Sequence, residues 1–235
     1  MNRIIGINAV YESLKSNRVK RLYLEEGFNN SRILELAKSN KIDPIFLNRR
    51  DFLRMENGNT QGCFAETIPF KTFSLTDILK DCDSAKNPCV VILDELNDPH
   101  NLGAILRSSD VFGVSAIIYK NRNSVSLNET VAKVSAGAIN YVKCCEVVNL
   151  TQTIKTLKEH KFWVIGLAGE ATEDLKSIPK DCPIAIVIGS EGYGISRLVR
   201  ENCDLMVKIP MQGHVSCLNA SVSCAIVLYE LSTRK

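Results

Sequence analysis

The chain has 235 residues, 45% hydrophobic and 23% charged, which is the profile of an ordinary globular protein of one large domain or two smaller ones. A net charge of +3 is too small to mark a nucleic-acid protein by itself, and no apolar run approaches the roughly 20 residues that span a bilayer. The N-terminus, MNRIIGINAVYESLK, lacks the apolar stretch and small-residue cleavage site of a signal peptide, so a cytoplasmic location is expected. The nine cysteines form no Cys-x-x-Cys pair and are accompanied by only three histidines, which argues against a metal site. Most lie in apolar company (Cys89, Cys224, the Cys144–Cys145 pair) and read as buried reduced thiols.

Charge is uneven along the chain. Residues 1–75 hold 12 Lys+Arg against 8 Asp+Glu, whereas the remainder is almost balanced. Clusters at Arg18, Lys20 and Arg21 and at Arg49, Arg50 and Arg54 could neutralise phosphates or simply form a solvated face. In this first part, GINAVYESLKS has helical spacing and VKRLYLEE alternates like a half-buried strand. A helix (SRILELAKSN), a strand (PIFLN), a short basic helix (RRDFLRM) and an alternating segment (QGCFAETIPF) follow, enough for a small mixed sheet. The polar stretch 73–87 reads as a linker between a unit at 1–72 and another at 88–235.

From Pro88 onward the texture changes. CVVILDEL, SAIIYK, FWVIGLAG and PIAIVIGS are short, nearly continuous apolar runs, as expected of strands buried on both faces. Helical segments (NLGAILRSSDVFG, NETVAKVSAGA, TQTIKTLKEH, SRLVRENC) separate most of them, so this part is α/β with a largely parallel sheet. The final segment has an apolar stripe of Leu218, Val222, Ala225, Ile226 and Tyr229, the mark of an amphipathic helix.

Ligands of such sheets bind at the carboxyl ends of strands. Three of these junctions are chemically unusual. At residues 93–113, Asn101 can cap a helix, Gly103 and Ala104 keep it narrow, and Arg107 stands six residues beyond Asn101, free to bind phosphate or to pair with Asp110. At 187–204, a buried strand runs into Gly189, Gly192 and Gly194 with Glu191 among them, in a spacing that fits neither a dinucleotide fingerprint nor a phosphate loop. At 207–226, Ile209-Pro210 ends a strand, and Ser216, Cys217 and Asn219 gather where the last helix begins. Ser216 is one possible cap of that helix, with Asn219 turned to water.

Together the three junctions resemble the three sequence motifs of the SpoU–TrmH family of RNA ribose 2′-O-methyltransferases. The matching residues are Asn101 and Arg107; then Gly189, Glu191, Gly192 and Gly194; then Ile209, Pro210, Met211, Gly213, Leu218, Asn219 and Ser221. Residues 1–70 also resemble the substrate-binding domain of the subgroup that modifies a guanosine of bacterial 23S ribosomal RNA. The resemblance implies a SPOUT-type catalytic domain, its largely parallel sheet threaded into a trefoil knot, an exception to the unknotted rule. It implies S-adenosylmethionine as methyl donor, contacted by Gly189, Ile209 and Leu218, and a homodimer packed around the last helix.

It also implies that Arg107 acts on the 2′-hydroxyl, oriented by Asn101 and Glu191, with Asn219 helping to position the ribose. A free guanidinium has a pKa above about 12, so alignment and stabilisation of a developing alkoxide are as plausible for Arg107 as proton removal. One departure stands out: the third motif usually reads Ser-Leu-Asn, and here it reads Cys217-Leu218-Asn219. Three other readings follow: a transfer-RNA substrate, an RNA-binding assembly factor without catalysis, and a nucleophilic Cys217 with His214 as its base.

Overall fold

The structure, a computed structural model, describes residues 2–121, 124–214 and 217–233. The chain divides into two units, Met1–Phe70 and Lys71–Lys235. The first contains β1 (Asn2–Ile5), α1 (Ile7–Lys15), β2 (Val19–Glu25), α2 (Ser31–Ser39), β3 (Ile45–Leu47), α3 (Arg49–Met55) and β4 (Cys63–Thr67). Its sheet has the order β1-β4-β2-β3, with β4 antiparallel to both neighbours and β3 parallel to β2. Alternation sends Leu22, Leu24, Cys63 and Ala65 against Val10, Leu14, Ile33 and Ala37 of α1 and α2. On the other face Tyr23 and Phe64 stack at 4.6 Å, and Phe52 of α3 packs on Phe64 at 5.1 Å.

The basic clusters of this unit divide by role. Arg18 lies over the Phe70 ring at 3.2 Å and donates to the Ile68 carbonyl, so it helps hold the unit together. Arg49, Arg50 and Arg54 stand exposed on α3, with Leu53 exposed beside them and Phe46 exposed on β3.

The second unit contains α4 (Leu75–Asp83), β5 (Cys89–Leu93), α5 (Pro99–Val111), β6 (Ala116–Lys120), α6 (Glu129–Val134), β7 (Lys143–Val147), α7 (Leu150–Glu159), β8 (Trp163–Leu167), β9 (Glu173–Asp174), β10 (Ile184–Ile188), α8 (Arg197–Arg200), β11 (Leu205–Lys208) and α9 (Ala220–Ser232). Its seven strands, in the order β7-β6-β5-β10-β8-β11-β9, are parallel at every pairing. Alternate residues along each central strand feed two cores. Val91, Leu93, Ile186 and Ile188 meet α5, α6 and α9, while Val90, Ile92, Ala185 and Val187 meet α4, α7 and α8.

Three details differ from the sequence expectation. The stretch 73–87 carries α4, whose Ile78, Leu79 and Cys82 are buried against the sheet and whose start is closed by a reciprocal Ser74–Asp77 capping box. Asn101 does not cap α5; Asp98 does, accepting from the His100 N–H at 2.8 Å, with Pro99 as the first helical residue. In α9 the core face is Ala220, Cys224, Val227 and Leu228, while Val222 and Tyr229 are exposed. That helix is apolar nearly all round, so its periodicity could not single out the inner face.

Gly103 does keep α5 narrow, and the neighbour it admits is α6. A Cβ at 103 would lie 2.6 Å from the Val134 Cβ and 3.1 Å from the Val131 carbonyl oxygen. Alanine would gain about 1 kcal/mol of helix propensity but incur overpacking of about 1–3 kcal/mol. Gly103→Ala is therefore expected to lower stability by up to about 2 kcal/mol, read as a lower urea midpoint at unchanged slope.

Candidate functional site

Because the strands are parallel, the loops after β5, β10, β8 and β11 all leave the same edge of the sheet, and these four strands are adjacent. The three junctions singled out from sequence therefore converge, joined by the loop after β8. The β5 exit is fixed by the fully buried Asp94, whose Oδ2 accepts from the Ser196 N–H at 2.8 Å and whose N–H donates to the Ile188 carbonyl.

Asn101, Glu191 and Asn219 form one hydrogen-bonded cluster. Asn101 Nδ2 donates to Glu191 Oε1 at 2.6 Å. Asn219 Nδ2 donates to the same oxygen at 2.7 Å and to Asn101 Oδ1 at 2.9 Å. The other end of the Asn219 amide caps α9, its Oδ1 accepting from the Ser221 and Val222 N–H groups and from the Ser221 hydroxyl. Asn219, not Ser216, thus begins this helix; Ser216 lies outside the described residues. Asn219 is exposed, yet both ends of its amide are engaged, one on Glu191 and Asn101 and the other on the start of α9.

Beside the cluster lies a cavity of about 490 Å³, within the range of small-molecule sites. Leu167, Ile188, Ile209 and Leu218 give it apolar walls, and Glu170, Glu191 and Arg200 give it charge. Gly189, Ile209 and Leu218, the three expected cofactor contacts, all line it. The loop after β10 closes on itself: Ser190 N–H donates to the Gly194 carbonyl at 3.0 Å, and Gly194 N–H returns to the Ser190 carbonyl at 2.9 Å. Gly194 has φ +67°, and a Cβ on Gly189 would lie 2.1 Å from the Gly194 carbonyl carbon, so both glycines are required by the loop itself. At Gly192 the reason is different, because a Cβ there would meet nothing within 4 Å.

Arg107 is not part of the cluster. It is exposed on α5, and among the described residues it has no ion pair or hydrogen bond, not even with Asp110. Cys217 is exposed and lines the cavity, and no hydrogen bond joins it to His214 among the described residues. The inert thiols are elsewhere: burial pushes Cys63, Cys144 and Cys203 up to about 12 and Cys145 up to about 11. Sequence reading passed over Glu170 and Arg200, which pair at 2.6 Å on the cavity wall. A hydrogen bond from its own backbone amide, then the Arg200 side chain, holds Glu170 below the usual carboxylate range. The signal was available, since GLAGEA leaves the carboxyl end of β8 as the other site loops leave theirs.

Residues 88–229 match the model of the SpoU rRNA Methylase family, and residues 3–73 match that of the RNA 2′-O ribose methyltransferase substrate-binding domain. The chain is 39% identical over 237 residues to YacO of Bacillus subtilis, named as a TrmH family tRNA/rRNA methyltransferase, covering 99% of this chain and 95% of that one. A protein of the same description from Staphylococcus haemolyticus is 40% identical over 237 residues with the same coverage. In fold the chain is similar to the SpoU methyltransferase AviRb of Streptomyces viridochromogenes, solved with AdoMet. That likeness has a TM-score of 0.70 at 20% identity and covers 99% of this chain and 89% of that one.

Two measurements test the site as built. Asn219→Ala should cost about 1–2 kcal/mol of stability through the lost cap, whereas Asn219→Ser should recover most of it while still lacking the donors to Glu191; urea midpoints separate the two. Iodoacetamide at about pH 8 should alkylate Cys217 before any other cysteine, with Cys63, Cys144 and Cys145 protected until unfolding, as read by peptide mass spectrometry.

Proposed function

The chain belongs to the SpoU rRNA Methylase family and is an RNA methyltransferase, and on that premise we propose that it methylates the ribose 2′-hydroxyl of a guanosine in 23S ribosomal RNA. The observation that carries the reading is the Asn101–Glu191–Asn219 cluster, built from three separate junctions at the wall of one cavity. S-adenosylmethionine, the family's cofactor, fits the residues present: an apolar enclosure for a nucleoside, charged groups of both signs, and open space at Gly192 where a side chain would intrude. When bound, it supplies an already electrophilic methyl group. Gly189, Ile209 and Leu218 would hold it.

The protein's task is then to align a ribose oxygen and manage its proton. Glu191 Oε1 is committed to the two asparagine amides, while Oε2 has no hydrogen bond among the described residues and is available to a hydroxyl or to Arg107. Arg107 binds the adjoining phosphate and stabilises the developing alkoxide. Asn101 and Asn219 act as positioning residues through Glu191.

A homodimer completes this reading. Arg107 stands outside the cluster of its own chain, and Val222 and Tyr229 on α9, with Val111 on α5, offer an exposed apolar face suited to a second copy. The parallel sheet, with β10 lodged between β5 and β8, supports the knotted topology of the family. Residues 1–72 serve as the RNA-binding unit, in which the exposed arginines of α3 meet phosphate; 88–235 form the methyltransferase domain; and the enzyme works in the cytoplasm, where this RNA resides. Transfer RNA is the second reading, because the relatives in Bacillus and Staphylococcus carry a name, tRNA/rRNA methyltransferase, that covers both RNAs.

Incubation with labelled S-adenosylmethionine and separate undermodified pools of ribosomal and transfer RNA, followed by nucleoside analysis, tests the proposal. Label is expected in 2′-O-methylguanosine from the ribosomal pool; label in a base would sink it. Arg107→Ala should reduce transfer by more than about 100-fold while cofactor affinity stays within about threefold, the pattern of a group that acts on the transition state.

A further inference from the structure

One large side chain at the site has no role in the cluster. Tyr193 is 95% exposed, at the tip of the loop that contributes Glu191 to the cluster and whose residues, Tyr193 included, line the mouth of the cavity. Isolated apolar residues on surfaces need no explanation, but this one differs in its support. Two backbone hydrogen bonds join Ser190 to Gly194, and Gly189 packs directly on Gly194. Beyond the loop, Ile195 is buried and Ser196 is held by Asp94. The tip is thus a short, doubly anchored hairpin, and the ring it presents is offered to solvent on a fixed backbone. Arg197 and Leu198 follow, the first with its side chain 81% exposed and, among the described residues, paired only with Glu201 on the surface, the second 56% exposed. An aromatic face followed by a cation on a rigid edge is how proteins grip unpaired bases, the ring stacking on a base and the cation neutralising phosphate.

We infer that Tyr193 is a stacking platform for an unpaired base of the RNA substrate, at or beside the nucleotide being methylated, with Arg197 on the adjoining phosphate. The inference rests on the RNA methyltransferase reading above and adds to it a residue that helps hold the RNA, whatever the identity of the stacked base. Stacking needs the ring and not the hydroxyl, so phenylalanine replaces tyrosine and alanine does not.

The test measures binding and reaction separately, on the full chain. Affinity for undermodified ribosomal RNA is measured by fluorescence anisotropy, cofactor affinity by calorimetry, and methyl transfer by label incorporation, for wild type, Tyr193→Phe and Tyr193→Ala. The expected result is a loss of RNA affinity of about tenfold or more for Tyr193→Ala, near-normal affinity for Tyr193→Phe, and unchanged cofactor affinity for both. Transfer should show the same loss in KM for RNA with kcat little changed. Equal RNA affinity of Tyr193→Ala and wild type would overturn the platform. So would a matching loss of cofactor affinity, which puts the ring against the cofactor, or dissociation of an oligomer in sedimentation, which puts it in a subunit contact. Wild-type binding that depends on Tyr193 without any transfer would instead sink the reaction and leave the platform standing.

Discussion

Every pairing in the larger sheet is parallel, and this governs where chemistry can sit. A parallel strand cannot turn back into its neighbour; it must cross over, so each carboxyl end opens on the same edge of the sheet. Here four adjacent strands, β5, β10, β8 and β11, send their loops to that edge. Asn101 and Asn219, 118 residues apart in sequence, thereby come within hydrogen-bonding distance of each other and of Glu191. Without the common strand direction the three polar segments would be unrelated loops.

Within that frame Asn219 does the fastening. Two backbone amides demand an acceptor at its Oδ1, which leaves Nδ2 no choice but to face Glu191 and Asn101. The start of α9 and the orientation of a site carboxylate are thus decided by one amide group. An arrangement whose donors are already aimed needs little reorganisation when charge develops nearby. Arg107, carried on the exposed side of α5, is the contrasting case: the fold delivers it to the surface, and among the described residues it joins no hydrogen bond or ion pair.

How much of this was legible in the sequence follows burial. β5, β6, β8 and β10 could be read because strands covered on both faces are continuous apolar runs, whereas β7 and β9 lie at sheet edges and β1 is a four-residue edge strand, too short to alternate visibly. The polar texture around α4 hid three buried residues, and the apolar texture of α9 hid which face is inner. At Asp98-Pro99-His100-Asn101 two residues could cap, and proline's fixed φ decided for the first. The three site junctions stood out because glycines and polar groups interrupt apolar runs there. The fourth, the loop after β8 with Glu170, has the same texture, and it is the strand order that shows it lying beside the others and within reach of Arg200 on α8.

The loop from Gly189 to Gly194 carries a consequence for how such proteins diverge. Its form is maintained by backbone contacts and by the absence of side chains at its two ends, so nothing in its architecture constrains what stands at position 193. Shape and surface are separable there. A single codon can change what the rim presents to solvent without repacking any core or disturbing the glycines that hold the loop.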